Sequence, residues 1–225
     1  MKNPLILNFK NYLEISGEKT LELAKSAEKV SDDLGVEIVL APPQPSLWTV
    51  ANIIDIPVIC QHVDDANSGS STGYFVPEIA KSYGGIGSLI NHSEHRIDMK
   101  SISNLVQTLK KLNMISIVCA RTPAEVVEIA KFRPDFVAIE PPELIGSGKA
   151  ISKEAPQIIS SSVKAVTDNS DSTGMVCGAG IVDKSDVSRA LQLGANGILV
   201  ASGIIKYRSW QEKISELASA FIELT

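Results

Sequence analysis

Glu140 closes an apolar run, and the chain from Ala138 reads AIEPPELIGSGKA. A carboxylate at the end of a buried run is an acid–base group with a fixed reach. Pro141 and Pro142 stiffen the backbone beyond it, and Gly146 and Gly148 loosen it again. Other reactive types follow apolar runs elsewhere: Asn8 and Lys10 in NFK, His92 and Glu94 in NHSEHR, Gly180 in CGAG, and Ala201 and Ser202 in LVASG. A carboxylate base beside an imidazole donor suits removal of a proton α to a carbonyl while the oxygen is polarised. Small-residue turns let backbone N–H groups approach a phosphate, and Lys10 adds a cation. The substrate is therefore read as a small phosphorylated metabolite and the chemistry as proton transfer without a cofactor. The three histidines and the scattered acids do not converge on a metal site. Each residue has a plainer use: a Glu after a strand can be merely the first exposed residue, a lone His can be structural, and Lys10 can face solvent. What favours chemistry is that all fall at the same end of the elements that carry them.

Those elements alternate. The β-rich runs lie at 4–9, 36–41, 57–61, 86–90, 114–119, 135–139, 174–177 and 197–200. Helical patterns follow them at about 17–34, 48–54, 77–84 and 99–112, from 122, and at about 152–166, 183–193 and 210–223. Thr122 reads as an N-cap with Pro123 first in its helix, and Ser152 as another cap. Residues 202–206 supply a short extra helix. Parallel strands need helical crossovers, and eight strand–helix units predict a (β/α)8 barrel in a single domain, 1–225. An open doubly wound sheet is the alternative, but it usually carries a glycine-rich turn after its first strand, and here that strand ends NFKNY. In a barrel the active site lies at the carboxyl ends of the strands, where the residues above stand.

The composition narrows the partners. The chain has 225 residues, 44% hydrophobic and 21% charged, with a net charge of −5 and no basic cluster. Nucleic acid and anionic membrane are poor partners for it. No apolar run nears the ~20 residues of a membrane span. The N-terminal apolar core is only Leu-Ile-Leu, so no signal peptide is expected and the cytoplasm is the expected compartment. Cys60, Cys119 and Cys177 each close an apolar run and read as buried thiols of a reducing compartment.

NFK at 8–10, NHSEHR at 91–96, IEPPELIGSGKA at 139–150, CGAG at 177–180 and LVASG at 199–203 together resemble triosephosphate isomerase, in the short form typical of archaea, across the whole chain. The resemblance implies interconversion of dihydroxyacetone phosphate and glyceraldehyde 3-phosphate. Glu140 would be the base, His92 the neutral electrophile, Lys10 the cation beside the enediolate and phosphate, Asn8 a positioning residue and Glu94 the partner that orients Lys10. Backbone N–H groups of Gly146, Gly180, Ala201 and Ser202 would hold the phosphate. Gly180 stands where many members have Ser, and Ala201-Ser202 where many have Gly-Gly. The polar stretch at 62–76 would reach into a second subunit, with Thr72 near that subunit's active site, in a dimer at least and a tetramer in the archaeal pattern. Tyr74 stands where many members have an acid, which removes one expected salt bridge. Two other readings are an aldolase or epimerase, which needs a strand-end lysine or a metal cluster, and a phosphosugar-binding barrel, which would have lost Glu140 or His92.

Overall fold

The computed structural model describes residues 1–223. Seven strands form one parallel sheet: β1 (Leu5–Asn8), β2 (Ile38–Ala41), β3 (Gly87–Ile90), β4 (Ile115–Ala120), β5 (Phe136–Ile139), β6 (Gly174–Cys177) and β7 (Gly197–Val200). Their order is β2-β1-β7-β6-β5-β4-β3, so each sequential neighbour pairs except across the gap between β2 and β3. The run at 57–61, expected as a full strand, fills that gap but is not one. It makes single parallel bridges, Leu40 to Val58 and Cys60 to Ser88. Ile59 N–H donates to Leu40 O of β2 at 2.8 Å, Leu40 N–H donates back to Pro57 O at 2.9 Å, and Cys60 N–H donates to Gly87 O at 2.8 Å. Pro57 has no N–H to donate, which shortens any ladder there. The barrel is thus nearly closed by seven regular strands and one irregular segment.

Helices cover the outside: α1 (Glu18–Leu34), α2 (Leu47–Ile53), α3 (Pro77–Ser82), α4 (Met99–Lys111), α5 (Pro123–Ala130), α6 (Ile151–Glu154), α7 (Pro156–Asn169), α8 (Lys184–Gln192), α9 (Ser202–Ile205) and α10 (Trp210–Ile222). Thr122 does cap α5, accepting from Glu125 N–H at 3.2 Å. Ser152 does not cap the helix expected at 152–166. It lies inside α6, buried and with no hydrogen-bond partner for its hydroxyl. Ala155 (φ −146°, ψ 57°) breaks the helix, and Pro156 restarts it as α7. A proline cannot donate to the preceding turn and disfavours helical geometry in the residue before it, so it belongs at a first helical position. The stretch 62–76 has no regular structure, but its ends are pinned: Asp64 N–H donates to Phe75 O at 2.9 Å, and Phe75 N–H to Asp64 Oδ2 at 2.7 Å.

Strand side chains alternate between two cores. Leu5, Leu7, Ile38, Leu40, Val137 and Ile139 pack outward against the helices. Ile6, Val39, Ile117, Cys119, Phe136, Ala138, Val176 and Leu199 fill the barrel. Full burial of one Leu or Ile is worth about 1.5–3 kcal/mol, so the register of each strand is strongly fixed. That register carries to the strand ends. Asn8 has the parity of Ile6, Glu140 that of Ala138, Gly178 that of Val176, and Ala201 that of Leu199. The inward positions therefore run directly into the barrel mouth.

Candidate active site

Asn8, Lys10, His92, Glu140, Gly146, Gly180, Ala201 and Ser202 line one cavity of about 250 Å³ at the carboxyl end of the barrel. Glu94 lines an adjoining cavity of about 500 Å³, shared with Asn8, Lys10 and His92. Of the sequence-derived site residues only Thr72 stands apart from both, exposed near the tip of the 62–76 stretch.

Glu140 is held by its backbone and by its surroundings. Its N–H donates to Ala120 O at 2.8 Å, which continues the ladder between β5 and β4 one residue past the strand. The side chain is only 6% exposed, and Oε2 has no hydrogen-bond partner. A buried carboxylate oxygen without a donor is costly, and such groups mark places where a ligand completes the bonding. Gly178 makes the pose possible: a Cβ there would stand 2.6 Å from Glu140 Cγ and 2.9 Å from Oε1.

His92 has the outward parity of Ile90, and Asn91 turns it into the mouth. Asn91 adopts φ 62°, a left-handed geometry that Asn tolerates better than most residues. Its buried side chain locks that turn, donating from Nδ2 to Cys119 O at 3.0 Å and accepting from Ile97 N–H at 3.1 Å. Nε2 of His92 then lies 3.5 Å from Glu140 Oε2. On the other side of the ring, Glu94 N–H donates to Nδ1 at 3.2 Å. An Nδ1 that accepts carries no proton, so the ring is neutral with its proton on Nε2, facing the cavity.

Lys10 also has positive φ, 50°, and its N–H donates to Asn8 Oδ1 at 3.0 Å. Its carbonyl accepts from Gln61 Nε2 at 2.9 Å, and the same nitrogen donates to Ala41 O at 3.1 Å. Nζ reaches Glu94 Oε1 at 2.6 Å. Asn91 and Gln61 carry no role in the sequence reading. An Asn just after a strand was the available signal for the first; Gln61 acts through backbone carbonyls that only the fold brings together.

Three small residues shape the far end of the cavity. Gly146, Ala179 and Gly180 have φ of 69°, 69° and 71°. A Cβ at Gly180 would overlap the Lys149 carbonyl oxygen, so this turn and the loop after Glu140 touch backbone to backbone. That loop contains a single 3-10 turn, Pro142–Leu144. Leu144 packs on the core and Ile145 faces the cavity.

The remaining histidines stack on one another beside this centre, His62 on His95 at 3.8 Å between ring centroids. Burial, then the neighbouring His95, lowers the proton affinity of His62, against the opposing pull of Asp64. All three cysteines are free and buried. Burial pushes the Cys60 thiol up to about 12 and raises Cys119 and Cys177 too, the last two also under the charge of Glu140.

Residues 4–218 match the family model for triosephosphate isomerase. The chain belongs to the triosephosphate isomerase family. It is 47% identical to the triosephosphate isomerase of Cenarchaeum symbiosum over 216 residues, 96% of each chain. The enzyme of Methanothermus fervidus is 44% identical over 218 residues, 96% of this chain and 98% of its own. That of Caldivirga maquilingensis is 42% identical over 223 residues, 99% of each. These isomerases share the full span of the chain, so its short format is theirs as well.

Proposed function

We propose that the chain interconverts dihydroxyacetone phosphate and glyceraldehyde 3-phosphate, a step shared by glycolysis and gluconeogenesis. The observation that carries this is the pairing of the unpartnered Glu140 Oε2 with the Nε2–H of His92, 3.5 Å apart in one cavity. Glu140 takes the proton from the carbon next to the carbonyl. The C–H electron pair forms the carbon–carbon double bond, and the carbonyl π pair moves to oxygen, giving the enediolate. His92 Nε2–H hydrogen-bonds that oxygen as its charge grows and relays to it the proton of the neighbouring hydroxyl. The charge now on the hydroxyl's oxygen re-forms a carbonyl there as Glu140 returns its proton to the former carbonyl carbon. Each step is a proton transfer between side chain and substrate, and none calls for a cofactor. Lys10 stabilises the enediolate and the phosphate, Asn8 fixes the substrate, and Glu94 orients Lys10. Backbone N–H groups of Gly146, Gly180, Ala201 and Ser202 take the phosphate.

A second copy of the chain completes the assembly in this reading. Thr72, Gly73 and Tyr74 are exposed, and Leu13 is 85% exposed. The 500 Å³ cavity beside Lys10 and Glu94 has room for a loop tip. Thr72 would enter it next to the partner subunit's Lys10, giving a homodimer at least. No helix among the described residues is long and apolar enough to cross a membrane, which fits the cytoplasm as the working compartment.

A coupled assay of glyceraldehyde 3-phosphate conversion tests the activity. Glu140→Gln is expected to lower kcat by roughly 10²–10⁴. Wild-type protein with no rate above buffer, or an unimpaired Glu140→Gln, would overturn the proposal. Sedimentation showing a fully active monomer would remove the role given to Thr72.

A further inference from the structure

The charges around the mouth do not balance without one residue outside the proposed machinery. Lys10 and Glu94 form an ion pair and cancel. Glu140, as the base, adds a full negative charge, and the chain as a whole carries −5. A phosphate monoester, close to doubly charged at neutral pH, would meet a mouth of its own sign. Lys206 offsets this excess. It follows α9, lines the same cavity as Ser202 and Gly180, and has no ion-pair partner among the described residues. Its Nζ stands 5.4 Å from the ring centroid of Tyr12, which lines the cavity too. The aromatic face holds the ammonium at the rim without neutralising it. Other lysines, such as Lys153, Lys184 and Lys213, are paired with carboxylates.

We propose that Lys206, seated on the ring of Tyr12, is a specificity determinant that draws doubly charged phosphate monoesters into the site over unphosphorylated trioses. This deepens the isomerase reading and rests on it. Lys206 acts at long range on the phosphate, not on the reacting carbons. Its effect therefore falls on capture and is screened as salt shortens the Debye length below ~10 Å.

The test compares wild type, Lys206→Met, Lys206→Arg and Tyr12→Leu at low and high ionic strength. Lys206→Met is expected to lose about tenfold in kcat/KM for glyceraldehyde 3-phosphate at low salt, carried by KM. The loss should shrink toward twofold near 0.5 M salt, where screening is strong. The ratio of kcat/KM for glyceraldehyde 3-phosphate to that for glyceraldehyde should fall by the same factor. Lys206→Arg should restore most of it, and Tyr12→Leu should lose about threefold. Calorimetric binding of inorganic phosphate should weaken in Lys206→Met, a readout that needs no turnover. Wild type inactive but with phosphate binding still dependent on Lys206 would sink the isomerase reading and the triose selectivity with it, leaving Lys206 as a phosphate-attracting residue of this mouth. Unchanged phosphate affinity and salt slope in Lys206→Met, or an equal loss against glyceraldehyde, would overturn it.

Discussion

The N–H of Glu94 donates to Nδ1 of His92 at 3.2 Å, and this one bond decides which nitrogen of the imidazole can act. With Nδ1 occupied as an acceptor, Nε2 holds the proton and presents it to the cavity. The donor is a backbone group, so its position follows from the turn at 92–95, which His95 N–H closes onto His92 O at 2.8 Å.

His92→Asn removes that donor. It should lower kcat by about 10²–10³, the usual cost of losing one preorganised oxyanion donor, with a smaller change in KM. Nitrogen NMR of wild type near pH 8 should place the proton of His92 on Nε2. A proton found on Nδ1 would contradict the assigned role.

Gly178 and Glu140 are in contact so close that a methyl group cannot enter between them. Gly178→Ala should force the carboxylate aside. Misplacing a reacting group by about 1 Å can cost a hundredfold in rate, so kcat should fall by about that much. The substitution sits at the mouth, where Glu140 can swing toward the cavity, so the melting temperature should fall by only a few degrees. A crystal structure of the variant with Glu140 unmoved and kcat intact would show that the glycine serves only the turn.

The strands that carry the site were legible because burial fixes a period of two. Asn8, Glu140 and Ala201 inherit the inward parity of Ile6, Ala138 and Leu199, so apolar alternation alone aims them at the mouth. His92 breaks that parity, and only the φ of Asn91 explains how it still points inward. Gly178 and Gln61 were opaque for a related reason. Their roles lie in what approaches them from other strands, and nothing in the local pattern records that. The segment at 57–61 looks like any other apolar run, but Pro57 and its short pairings leave it as bridges, not a strand. Lys206 is visible only as a helix end until Tyr12 is brought beneath it.

The three buried thiols give the fold an alkaline limit. Burial holds the Cys60 thiol protonated up to about 12, and Cys119 and Cys177 are raised as well. An unfolded cysteine ionises near 8.5, so above that pH the unfolded chain sheds protons that the folded chain keeps. The stabilisation is complete below the unfolded value and is lost as pH rises toward the folded one. Each thiol contributes a slope on the order of 1.4 kcal/mol per pH unit in that window. Urea unfolding at pH 8 and pH 10 should show the decline, and Cys60→Ala should make it shallower by about a third. Equal slopes for wild type and variant would mean that Cys60 titrates normally in the folded protein.

The loop after Glu140 is expected to move as one piece. Ser147 N–H donates to Leu144 O at 3.2 Å and Ser147 Oγ to the same oxygen at 2.8 Å, while Lys149 N–H donates to Ser147 Oγ at 3.1 Å. These bonds stay inside the loop. Its ties to the barrel are the packing of Leu144 and Ile145, the backbone contact of Lys149 with the turn at Gly180, and Ile151 N–H to Ala179 O at 3.5 Å. Pro141 and Pro142 restrict the first hinge, and Gly146 and Gly148 free the second end. A bound phosphate would add a bond to Gly146 N–H and hold the loop shut, with Ile145 shedding water over the substrate. Inorganic phosphate should therefore slow amide exchange across 141–149, by about tenfold at a concentration ten times its Kd. Gly180→Ala should abolish that protection, because its methyl group would overlap the Lys149 carbonyl and keep the second hinge from seating. Exchange that is identical with and without phosphate in wild type would mean that the loop does not close on the ligand.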